Sequence, residues 1–216
     1  MLAAGLLWAG CTAYAQQAPV FHMEYTNAKL MPSHWILKLS PDGNGWFDAE
    51  GGAPQPESKG KIEAGPVHRA VQLSPELTER VFKTAREKKL FQINCESHMK
   101  VAFQGTKRFT YTGPEGTGSC EYNYSKDKDI QNLGDALLEV ETTLMFGARL
   151  EKLLQHDRLG LDWELQSLAD AIHGGNALEL ETIHETLARI ADDEMVLDRA
   201  RKKARVLLAG KAGDKD

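Results

Sequence analysis

Basic charge, cysteine and familiar catalytic spacings are all scarce in this chain, and each shortage excludes something. Lys and Arg number 26 against 31 Asp and Glu, a formal net charge of −5. Nucleic-acid binding needs clustered cations that displace phosphate counterions, so no nucleic-acid partner is expected. Beyond the first residues, no apolar run approaches the roughly 20 residues that span a bilayer. No transmembrane segment is therefore expected in the mature chain. With only three Cys among 216 residues, a disulfide-dense scaffold is excluded as well.

The catalytic spacings fail at identifiable positions. Gly113, Gly116 and Gly118 reverse the order of a dinucleotide loop, and a strand pattern follows where a helix is needed. The segment reads as a hairpin turn. Ser119 lacks the flanking glycines of a nucleophile elbow. A calcium loop starting at Asp42 would need an oxygen ligand where Trp46 stands and Gly where Phe47 stands. Asn123-Tyr124-Ser125 matches a glycosylation acceptor, a tripeptide that is common by chance. His22, His34, His68, His98 and His156 are scattered without metal-ligand spacing.

What is present describes a globular protein with an unusual start. Hydrophobic residues make up 42% and charged residues 26%, the balance of a soluble fold. "MLAAGLLWAGCTAYA" carries no charge, is apolar over residues 2–10, and ends Ala13-Tyr14-Ala15. Small residues at −3 and −1 suit signal peptidase, so residues 1–15 read as a signal peptide and the mature chain starts at Gln16. Export to a periplasmic or extracellular destination follows. Two alternatives stand beside it: lipidation of Cys11, which would anchor the protein to the cell envelope, and a true start codon upstream. In an oxidising compartment the remaining pair, Cys95 and Cys120, is expected to form a disulfide.

The fold class expected is α+β. Antiparallel hairpins with one helix occupy residues 16–125, a helical region of about four helices spans 126–210, and residues 211–216 form a disordered tail. "VFHMEY", "HWILKLS" and the residues after Pro41-Asp42-Gly43-Asn44-Gly45 alternate as strands around a turn. Residues 51–66, rich in Gly and Pro, read as a surface loop. A short strand leads into a helix capped by Ser74 and started by Pro75, with Leu77, Val81, Phe82 and Ala85 buried. Strand alternation resumes at Val101 and Phe103, then at Phe109 and Tyr111, then at Tyr122 and Tyr124.

Beyond Ser125, apolar residues recur at threes and fours. Ile130, Leu133, Leu137, Val140, Leu144, Leu150 and Leu154 form one stripe; Leu161, Leu165, Leu168 and Ile172 form a second. Leu180, Ile183, Leu187 and Ile190 mark a third helix. A fourth is expected from the acids at 192–194 to the cations at 202–205, a gradient that complements the helix dipole.

Glu181 precedes His184 by three, the spacing of a carboxylate di-iron ligand pair. Such a site needs a second copy, and Asp170 to His173 offers only a shorter acid followed by two glycines. A zinc-protease helix would need His where Ala188 stands. Helical phase places Glu181 in water and His184 at the margin of the apolar stripe. The favoured expectation is thus an exported, non-enzymatic binding or protein-interaction module that uses no cofactor and has another protein as its partner. The alternative is a metal-dependent hydrolase built on His173, Glu181 and His184.

Overall fold

The computed structural model describes residues 18–50 and 63–210. The expected signal peptide, Cys11, the Gln16 start and the 211–216 tail lie outside the described residues, as does most of the 51–66 loop. Six strands, β1 (Val20–Thr26), β2 (His34–Leu39), β3 (Asn44–Glu50), β4 (Val67–Gln72), β5 (Thr106–Gly113) and β6 (Gly116–Tyr122), form one antiparallel sheet. Its order is β4-β3-β2-β1-β5-β6. Among the described residues five helices accompany it: α1 (Pro75–Glu87), α2 (Lys128–His156), α3 (Leu161–His173), α4 (His184–Asp192) and α5 (Asp198–Leu208). The fold is α+β, with the hairpins merged into a single sheet.

Alternation along each strand decides which face is covered. Phe21, Met23, Tyr25, Trp35, Leu37, Leu39, Phe47, Phe109, Tyr111 and Tyr122 point inward and are buried. They meet α1 and the first half of α2 in one core. Lys107 shares this interior. Its Nζ donates to Asn123 O at 3.1 Å and lies 5.4 Å from the Tyr122 ring centre. Burial holds this ammonium below its ordinary range, against the opposing pull of Asp135 and Glu96.

A second core begins at Phe146 and joins the later half of α2 to α3, α4 and α5. Leu150, Leu161, Leu165, Leu168, Ile183, Leu187 and Ile190 are fully buried in it, as their spacing predicts. Ion pairs fix the helices laterally. Arg149 meets Glu164 at 2.5 Å, and Asp162 receives Arg199 at 3.1 Å and Lys203 at 3.0 Å. Nothing among the described residues is a helix long and apolar enough to cross a membrane.

Three elements depart from expectation. Residues 98–105 alternate like a strand but pair with none; Val101 and Phe103 are 38% and 59% exposed. The neighbouring sheet edge is already occupied. The 3₁₀ turn at Lys89–Phe91 lies against β6, where a Cβ on Gly118 would come 2.2 Å from Leu90 O. Only glycine permits that approach. The third helix opens as a 3₁₀ turn, Leu180–Ile183, and becomes α-helical at His184. The fourth begins at Asp198, so the acids at 192–194 precede it instead of opening it.

Candidate binding surface

The outer face of the sheet is where polar chemistry gathers. Register places Glu121, Arg108, Glu24, Ile36, Asp48 and His68 in one row across the six strands. The adjacent row reads Ser119, Thr110, His22, Lys38, Trp46 and Ala70. None of these side chains is buried. Three of the histidines that look scattered in sequence therefore share this surface: His22 and His68 in these rows, and His34 beside Glu50. The signal that could have found them was the alternation itself, since each occupies the polar phase of its strand.

Neighbouring groups hold the face in fixed positions. Arg108 bridges Glu24 at 3.2 Å and Glu121 at 2.5 Å. The His34 ring contacts Glu24 at 3.1 Å and Glu50 at 3.7 Å. Trp46, 48% exposed, stacks on His68 with ring centres 4.8 Å apart and planes 19° from parallel. His68 in turn hydrogen-bonds Asp48. Partial burial, with Lys38 nearby, keeps His22 below its ordinary 6.5, so its ring is neutral at neutral pH. The surface combines an aromatic stack at its β4 edge with paired charges of both signs farther across.

The sequence candidates lie elsewhere. His173, Glu181 and His184 are all exposed, on three different elements. His173 Nδ1 is spent on Ala169 O at 2.7 Å. His184 opens α4 and is exposed, while the stripe residues Ile183, Leu187 and Ile190 around it keep their phase and are buried. Among the described residues, no group of three or more His, Cys, Asp or Glu could hold a metal ion. Cys95 and Cys120 stand at disulfide distance, with Sγ atoms 1.97 Å and Cα atoms 5.7 Å apart.

Near that pair lies an anchor the sequence did not advertise. Asn123 accepts from Gln104 N at 2.7 Å and donates to Ala102 O at 3.2 Å, while Glu96 accepts from Asn123 N at 2.7 Å. The bond from Asn123 N, joined by bonds from His98 and Ser97, holds the Glu96 carboxyl below its ordinary range against the opposing effect of burial. Asn123 is thus committed to pinning the 98–105 segment. Searches of protein-family models and of curated proteins found nothing that matches this chain.

Proposed function

We propose that this is an exported, non-catalytic protein that binds another protein through the uncovered face of its sheet. The observation that carries the reading is the exposed Trp46–His68 stack beside Ile36 near one edge of the face, with the Glu24–Arg108–Glu121 pairs toward the other. An exposed aromatic anchor with charged groups on the same surface is a composition that protein interfaces favour. Mixed charge suits a protein better than nucleic acid or an anionic membrane, either of which favours one sign. The disulfide-distance cysteine pair supports an oxidising destination.

Size sets the expected strength. Six strands about 4.8 Å apart and about 20 Å long present roughly 500 Å². A standard interface buries about 800 Å² per partner, so this face alone suits a transient complex. A photo-cross-linking residue at position 36, compared with one at 202 on α5, tests the reading in the native host. The position-36 probe should capture a defined protein, and Trp46→Ala should abolish the capture. Equal capture from both positions, or capture that ignores Trp46→Ala, defeats it.

A further inference from the structure

The two edges of the sheet are finished differently. At the β6 edge, Gln92 Nε2 donates to Thr117 O at 2.6 Å, Ser97 N donates to Tyr124 O at 2.9 Å, and the Cys95–Cys120 pair ties the flanking segment down. At the other edge, no backbone bond joins Val67–Gln72 to any described segment except β3. A strand edge left this way presents alternate N–H and C=O groups to an incoming chain.

Beside that edge runs a groove of about 430 Å³. One wall is the chain from Ala64 through Arg69, which includes the start of β4. The other wall is α2, contributing Ala148, Glu151, Lys152, Gln155 and His156 at the spacing of a single helix face. An edge strand facing a helix across a groove is a geometry in which extended peptides bind by strand addition. Residues 148–156 span about 12 Å of helix, which matches about four residues of extended chain.

The charges select among peptides. Arg69, His156 and Lys152, whose Nζ also donates to Glu63 O at 2.8 Å, line the groove against one acid, Glu151. That acid is already engaged: its Oε1 accepts from Arg69 Nη2 at 3.3 Å and from Thr186 Oγ1 at 2.7 Å. Arg69 Nη1 is buried without an acceptor among the described residues. That nitrogen is packed beside Gly147 without access to an incoming chain, so it is the excess of cations over acids along the groove, with Lys152 exposed, that favours a carboxylate.

We propose that the groove between β4 and α2 takes an extended, carboxylate-bearing segment of a partner protein, which adds to the sheet as a seventh strand beside β4. The proposal rests on the protein-binding reading above and names the kind of segment bound. It also supplies contact area that the open face lacks by itself.

The test pans a phage-displayed library of seven-residue peptides against the full chain, then synthesises the enriched peptide with free and with amidated acidic side chains. Enriched sequences should carry an Asp or Glu between β-branched residues. The free-acid peptide should slow amide exchange across residues 67–72, and Arg69→Met should weaken it at least tenfold. Lys152→Glu, an exposed change that leaves the Arg69–Glu151 pair intact, should weaken it in the same direction even if Arg69→Met folds poorly. Cross-linking from position 36 is read separately: no capture there while the peptide still protects 67–72 marks failure of the open-face reading alone. Enrichment without acids, equal binding of the amidated peptide, or protection away from β4 overturns the proposal. Slow exchange in the free protein of the β4 amides that do not bond β3 overturns it too, because the edge would then already be filled from within the chain.

Discussion

At the scale of single residues, Glu141 is the group most at odds with its surroundings. It sits half-buried on α2, where desolvation pushes its carboxyl up to about 7 from the ordinary 4.5 and Arg149 only partly offsets the shift. The Tyr25 hydroxyl is near enough for the Glu141 charge to help raise it. Because the folded state prefers the protonated acid, the stability it contributes is fully present below about 4.5. That contribution is lost as pH rises through about 7. Glu141→Gln fixes the side chain neutral and should remove this loss. The variant should gain on the order of 2 kcal/mol over the parent near pH 8, with the difference fading towards pH 4.5. Urea denaturation at several pH values measures it. A constant difference across that window would show that Glu141 titrates normally.

At the scale of elements, the third helical stripe gives a clean contrast between buried and exposed positions. Leu187 is fully buried in the second core, whereas His184 and Glu181 are exposed. Leu187→Ala should cost about 2–5 kcal/mol, the range for a truncated core leucine. His184→Ala and Glu181→Ala should each stay within about 0.5 kcal/mol. Urea midpoints of the three variants decide this, with elemental analysis alongside. Stoichiometric metal in the parent that disappears in His184→Ala would restore the hydrolase alternative.

The same elements show what could be read from the chain and why reading stopped. Leucine spacing locates α2 and α3 because their burial depends on period alone, and Ser74-Pro75 locates α1 because capping is local chemistry. Indeed, Ser74 Oγ accepts from Leu77 N at 3.2 Å. Val101 and Phe103 carry an equally regular period and still form no strand. A strand needs a free edge, and the Lys89–Phe91 turn with Cys95 already holds the one nearby. Edge occupancy is a tertiary fact that no local pattern contains. The outer-face rows were half legible: the polar phase of each strand was visible, but bringing His22, Trp46 and His68 together required the strand order. The groove beside β4 was not legible at all, since its walls lie more than 70 positions apart in the chain.

For the whole molecule, cross-links across sequence set the cost of losing any one part. The Cys95–Cys120 pair closes a separation of 25 residues and joins the 3₁₀ turn region to β6. Replacing both by Ser should cost about 3 kcal/mol in the chain-entropy account, and should loosen the 98–105 segment first. Hydrogen exchange should therefore rise at Gln104 and Asn123 before it rises in β1. A variant pair with unchanged stability and unchanged exchange would mean that the bond is absent in the native protein.

The larger question is whether the two cores fold as one. α2 runs unbroken for 29 residues, with Met145 in the sheet core and Phe146 in the helical core. Two clasps reinforce it: Glu179 accepts from Ser74 N and Oγ, each at 2.6 Å, and Thr143 Oγ1 donates to Leu178 O at 2.6 Å. A shared helix is costly to sever, because breaking it exposes apolar surface on both sides and frees backbone groups within it. Urea unfolding should accordingly be a single transition, with buried Trp35 fluorescence, isolated by Trp46→Phe and Trp163→Phe, and far-ultraviolet helicity changing together. Met145→Pro removes one helical bond and kinks α2 at the junction, a cost of about 3 kcal/mol or more. In that variant the helical signal should be lost at lower urea than the Trp35 signal. Transitions already separate in the parent would show that the cores are independent; transitions still coincident in Met145→Pro would assign the coupling to the Ser74–Glu179 and Thr143–Leu178 clasps instead of the continuous helix.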